Sequence, residues 1–218
     1  MTRSTLDHLL SVRLMRRMAL TIGLSLGAAM LTACDGKEGG TGSGASFNGV
    51  DITGADYALD FKLPDHNGQV RTLADFRGKV VVVFFGYTQC PDVCPTSLSE
   101  LAAAKELLGP DGENMQGLFV SVDPARDTPE IMKAYMGNFD PAFLALHATA
   151  EELPELTKQF RIYYKKVAGP TPTSYTMDHS AGSYVYDTEG RIRLYHRYAS
   201  GPDKLAADVK ALLAEASQ

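Results

Sequence analysis

Cys90 and Cys94 are the residues of this 218-residue sequence best suited to chemistry. They stand in Gly86-Tyr87-Thr88-Gln89-Cys90-Pro91-Asp92-Val93-Cys94-Pro95. Two thiols four residues apart project to one side of a helix, or lie close together in a tight loop. The segment after them reads as a helix, and a helix N-terminus favours a thiolate through its dipole and free amides. A thiolate is both a soft metal ligand and a redox nucleophile, so the pair leaves both chemistries open. A structural disulfide is the third reading, since exported domains favour such bridges. A bridge across three residues would close a very short loop and stabilise little.

His179, in Tyr175-Thr176-Met177-Asp178-His179-Ser180, is the candidate third ligand. Imidazole suits copper, zinc and iron, and thiolates select Cu(I) and zinc. Two Cys and one His make a three-coordinate soft site, adequate for copper in either oxidation state and short of a closed structural zinc site. Asp123 is a candidate to tune or gate the site from the shell around it, or else caps the turn before Thr128, and Asp178 would orient His179 or merely bind loop backbone. His66, His147 and His196 read as solvent or packing residues. Met115, Met132 and Met136 read as core filler, and only Met177, two residues from His179, merits attention as a sulfur donor. Tyr163-Tyr164-Lys165-Lys166 resembles a strand edge that could join a docking surface.

Several elements must bring these residues together. The uninterrupted β-branched and aromatic run 79–86 predicts a central strand buried on both faces. A helix over 96–108 follows the Cys pair, and Gly117–Val122 predicts a second buried strand. Thr128 as N-cap and Pro129 as first helical residue open a helix that runs to about Phe139. Leu144–Leu146 is a short strand, Glu151–Phe160 a helix, and Ser183–Tyr186 with Arg191–Tyr195 a late hairpin. Lys204–Ala216 closes the chain as an amphipathic helix. Upstream, Asn67-Gly68 marks the tip of an N-terminal hairpin between Ala58–Leu63 and Gln69–Leu73. The expectation is an α/β fold with a central mixed sheet flanked by helices. A reactive pair between the first central strand and a helix is the thioredoxin arrangement.

The third cysteine, Cys34, belongs to targeting. Arg13, Arg16 and Arg17 precede an apolar run, Met18–Leu31, that ends in Leu31-Thr32-Ala33-Cys34. A positive flank, a short apolar stretch and small residues before the cut describe a secretory signal. The run is short of the roughly 20 residues a spanning helix needs. The Leu-x-Ala-Cys ending resembles a bacterial lipobox, so residues 1–33 are expected to be removed and Cys34 acylated. Met15 would begin a more compact signal than Met1. Asp35 resembles an inner-membrane retention signal, which predicts a lipid-anchored domain facing the periplasm. Residues 34–50, rich in Gly, read as a flexible tether, leaving 51–218 as the folded domain. The whole chain has 21 basic and 26 acidic side chains, a net −5. Without residues 1–33 these become 17 and 25, a net −8. Such a balance argues against a nucleic-acid binder, which usually shows a basic face.

Three segments together resemble the Sco/SenC family of copper-binding, membrane-tethered, thioredoxin-like proteins that help assemble cytochrome c oxidase. They are Phe84-Phe85-Gly86-Tyr87-Thr88-x-Cys90-Pro91-Asp92-Val93-Cys94-Pro95, Ser121-Val122-Asp123-Pro124-x-Arg126-Asp127-Thr128-Pro129, and Asp178-His179-Ser180 followed by Tyr184-Val185-Tyr186-Asp187. Their order and spacing fit the family over about 57–213. The resemblance implies that Cys90, Cys94 and His179 bind one copper ion, Cu(I) or Cu(II). It implies as partners the copper-bearing subunit of the oxidase, other copper chaperones or thiol reductants, and the membrane. Delivery of copper is the leading reading. The rivals are a thiol-disulfide oxidoreductase that keeps the oxidase cysteines reduced, and a copper- or redox-responsive regulator.

Overall fold

Strand β4, Val80–Gly86, is buried at every position, as its apolar run requires. In this computed structural model, which describes residues 46–217, β4 lies at the centre of a six-stranded sheet. On one side it pairs in parallel with β5, Met115–Ser121, and β5 pairs in parallel with β6, Leu144–His147. On the other side β4 runs antiparallel to β9, Ser183–Tyr186, the first strand of the late hairpin. Its second strand β10, Ile192–His196, carries the short edge strand β1, Val50–Asp51. The late hairpin is therefore part of the main sheet.

Side chains alternate across β4, and each face acquires a helix. Phe84 and Phe119 are register partners on one face, where α1, Val93–Leu107, places Cys94. Tyr135 of α2, Pro129–Met136, packs on Phe119 from that same side, with ring centroids 5.9 Å apart. On the opposite face Phe85 meets Phe160, which caps α3, Leu153–Gln159. The closing helix α4, Pro202–Glu215, lies against α1. This is the expected mixed sheet with flanking helices.

The boundaries differ in informative ways. Helix α1 starts three residues earlier than the sequence suggests, because Pro95 falls in the first turn, where its missing N–H costs nothing. The N-terminal hairpin shrinks to β2, Leu63–Pro64, and β3, Val70–Arg71. The buried Asp65 carboxylate accepts the Asn67 and Gln69 amides and the Arg71 guanidinium, so a tight polar turn replaces longer strands. Its neighbour His66 exchanges hydrogen bonds with Ala145 and thereby covers the edge of β6, a packing role. The ribbon formed by β7, Tyr164–Ala168, and β8, Tyr175–His179, was expected only as a strand edge at 163–166. It pairs with no other sheet among the described residues. Cys34, the signal segment and most of the tether lie outside the described residues. No described helix is long and apolar enough to cross a membrane.

Candidate metal centre

The parallel pair β4–β5 ends where the Cys loop begins, and this places the first two sulfurs. Gly86 closes β4 beneath the sulfur of Cys94. A Cβ on Gly86 would stand 2.8 Å from Cys94 Sγ and 2.8 Å from the Phe119 ring. Only a glycine lets the first turn of α1 settle so close to the sheet. Cys94 is fully buried there, whereas Cys90, in the loop before the helix, is half-buried. The loop conformation thus brings the thiols together.

Neither cysteine is in a disulfide, and their surroundings push the two thiols in opposite directions. Asp92 at the N-cap makes no side-chain cap. The Cys90 sulfur occupies that position and accepts from the Cys94 amide at 3.4 Å. A hydrogen bond from the Cys94 thiol, helped by the Asp92 and Cys94 backbone amides, holds the Cys90 thiol down to about 3. The same hydrogen bond, together with burial, pushes the Cys94 thiol far up. Cys90 is the accessible thiolate of the pair.

His179, the last residue of β8, completes the group. Its Nδ1 lies 2.8 Å from the Ser180 carbonyl. A carbonyl only accepts, so Nδ1 carries the proton and Nε2 keeps its lone pair. Nε2 points at Cys94 Sγ, 3.3 Å away. Phe84 and Tyr87 meet the imidazole edge-on, with ring centroids 6.0 and 5.9 Å from it. One donor atom from each of Cys90, Cys94 and His179 falls within 4.8 Å of the others. A cavity of about 350 Å³ opens beside Cys90 and His179, with Tyr87, Asp92, Met177 and Asp178 among its walls.

The remaining predicted residues divide. Asp178 is exposed at the cavity mouth. Asp123 is buried, and its carboxylate holds Arg126 and the Tyr175 hydroxyl. Met177 is buried at the cavity wall, and Met115, Met132 and Met136 belong to the core. His196 is buried against Asp208 at 2.8 Å, a packing residue far along the chain from the Cys loop. Tyr163, just ahead of β7, and Lys165–Lys166 on it are exposed, as a strand edge would be.

The sequence reading gave no role to Asp127, Arg126 or Tyr175. Asp127 accepts hydrogen bonds from the Thr88 hydroxyl at 2.6 Å and the Ser121 hydroxyl at 2.6 Å, tying the Cys loop to the end of β5. Burial raises its pKa above the usual carboxylate value. Asp127 and Arg126 sit inside a recognisable motif, but their partners are distant in sequence, so spacing could not reveal what they hold.

The fold and this dithiol-imidazole group define a thioredoxin-like domain carrying three soft donors beside a cavity. The SCO1/SenC family profile matches residues 50–214, and the chain belongs to that family. Among solved structures it is similar to copper-bound ScoI of Bradyrhizobium japonicum, at 41 % identity over 69 % of this chain and 96 % of that one, with a TM-score of 0.63. Apo Sco1 of Thermus thermophilus is 39 % identical over 77 % of this chain and 97 % of that one, with a TM-score of 0.67. A SCO2-like protein of Rickettsia felis is 32 % identical over 69 % of this chain and 74 % of its own. The mitochondrial SCO2 homolog of Bos taurus is 36 % identical over 71 % of this chain, which spans only 59 % of the bovine protein.

Proposed function

We propose that the protein is a copper metallochaperone that binds one copper ion and delivers it to the copper-bearing subunit of cytochrome c oxidase during assembly. One observation carries this reading: the sulfurs of Cys90 and Cys94 and the Nε2 of His179 converge within 4.8 Å, with the imidazole tautomer already set for a ligand. Two thiolates and an imidazole suit copper, and three donors leave room for a fourth from a donor or recipient. Copper is bound in the ScoI structure at 41 % identity, which supports the choice of metal. The oxidase as recipient rests on family membership, and the donors by the same argument are other copper chaperones.

Transfer proceeds by ligand exchange at the cavity, where Cys90 and His179 are accessible and Cys94 is not. Acylated Cys34 anchors the chain to a bacterial inner membrane, the Gly-rich residues after it tether the domain, and the folded domain, which Asn48 and Val50 already join, works on the periplasmic side. Exchange with a disulfide oxidant, which takes the two electrons and two protons of the pair and leaves as a dithiol, forms a Cys90–Cys94 disulfide that removes two ligands; a thiol reductant reopens it, which couples retention to redox state.

Anaerobic Cu(I) titration tests the site. Wild type takes up one equivalent, and Cys90→Ser and His179→Ala bind far more weakly. Equal binding by all three proteins sinks the reading.

A second reading draws on the accessible Cys90 thiolate beside a buried Cys94 thiol, the arrangement of an attacking and a resolving cysteine. In that reading the protein is a thiol-disulfide oxidoreductase that keeps the oxidase cysteines reduced. Loss of oxidase assembly in His179→Ala favours delivery, and full assembly favours reduction.

A further inference from the structure

Two of the three donors stand on elements that the central sheet does not hold. Cys90 lies in the loop ahead of α1, and His179 ends a ribbon with no ladder to the main sheet among the described residues. Arg126, in the loop between β5 and α2, reaches both. Its Nη1 donates to the Gln89 side-chain oxygen at 3.0 Å and to the Tyr175 carbonyl at 2.9 Å. Gln89 immediately precedes Cys90, and Tyr175 is the first residue of the strand that His179 ends.

The guanidinium is itself tightly fixed. Its Nε donates to Asp123, whose other carboxylate oxygen accepts from the Tyr175 hydroxyl at 2.9 Å. Its Cζ sits 3.5 Å from the Tyr175 ring centroid and 5.6 Å from that of Tyr87. One planar fork therefore bonds two other segments and its own loop, and stacks on a ring. A lysine, with a single nitrogen and no plane, cannot reproduce this.

We propose that Arg126 is the positioning residue that sets the separation of Cys90 and His179, by holding Gln89 and Tyr175 in one hydrogen-bonded cross-tie. The inference rests on the copper reading for its consequence: Arg126 governs how long the ion is retained. Cys94 needs no such tie, because the helix and the sheet already fix it. Asp123 acts through Arg126 and Tyr175, without touching a donor atom.

The test has a copper-free arm and a copper-loaded arm. In the copper-free protein, hydrogen exchange is compared for wild type, Arg126→Lys and Gln89→Ala. Gln89 is exposed, so its alanine variant cuts the tie without endangering the fold. The expected result is faster exchange at both 87–92 and 175–180 in either variant, with β5 unchanged. Faster exchange confined to 122–128 would make Arg126 a local loop brace and overturn the inference.

In the loaded protein, Arg126→Lys is expected to release Cu(I) to a chelator about tenfold faster and to shift the thiolate-to-Cu(II) band, a typical penalty for a partner behind the ligands. Gln89→Ala should do the same to a lesser degree. Release rates and spectra equal to wild type overturn the positioning role, even where Cys90→Ser abolishes binding. Failure of wild type itself to bind copper defeats the metal reading, a distinct outcome.

Discussion

Cys94 and His179 are held by different physics. Cys94 sits in the first turn of a 15-residue helix, fully buried against Gly86 and Phe119. The parallel ladder of β4 and β5 lies directly beneath it. His179 ends a five-residue strand in a two-stranded ribbon, and such ribbons are marginal alone. It keeps its place through two aromatic neighbours, one carbonyl and the Arg126 tie at the far end of its strand. Elements with few buried contacts open at lower free energy than core strands. A carrier must release what it holds, and one fixed ligand beside one yielding ligand meets that need.

Attacking the fixed half should cost the most. In Gly86→Ala the new methyl meets sulfur and ring at 2.8 Å, with helix and sheet on either side. Overpacking of this kind costs about 1–3 kcal/mol, read from the urea midpoint, and should displace Cys94 enough to weaken the copper band. A variant as stable as wild type would mean that the fixed half has slack.

Attacking the yielding half should separate binding from stability. His179→Ala is expected to lose the thiolate-to-Cu(II) band while changing stability by less than about 1 kcal/mol, because the ring is only partly buried. A thermal midpoint that falls steeply with the band would erase the contrast between the halves.

The smallest effect concerns the thiols alone. The Cys90 pKa is lowered to about 3, so its thiolate is present in full well above that pH. Alkylation of the copper-free protein at Cys90 should therefore stay flat between about pH 5 and 8, where an ordinary thiol gains close to tenfold per unit. Cys94, buried and shifted the other way, should remain unlabelled in peptide mass spectra. A Cys90 rate that climbs with pH would show that the Cys90 thiol is not held down.

The long elements were legible because each is written in local pattern. The run 79–86 became β4, and Thr128-Pro129 opened α2, with the Thr128 hydroxyl accepting the Ile131 amide at 3.4 Å. The short ones were not. Strand β7 carries Lys165 and Lys166 next to each other and β8 alternates weakly, so neither announces a buried face. Asp65 shortened the first hairpin through a carboxylate turn that a strand pattern cannot encode.

Chemistry and order along the chain were set by sequence alone: two thiols on a strand-to-helix turn, an imidazole 85 residues beyond Cys94, and a lipobox-like Cys34 upstream. Residue type decides softness, and spacing decides that two sulfurs can meet. Tertiary structure alone decided that His179 Nε2 faces Cys94, that the Cys90 thiol is the one pushed down, and that Arg126 spans the Cys loop and the ribbon. Those are relations between side chains far apart in the chain. Only folding, which sets their distance, burial and hydrogen-bond partners, gives them a value.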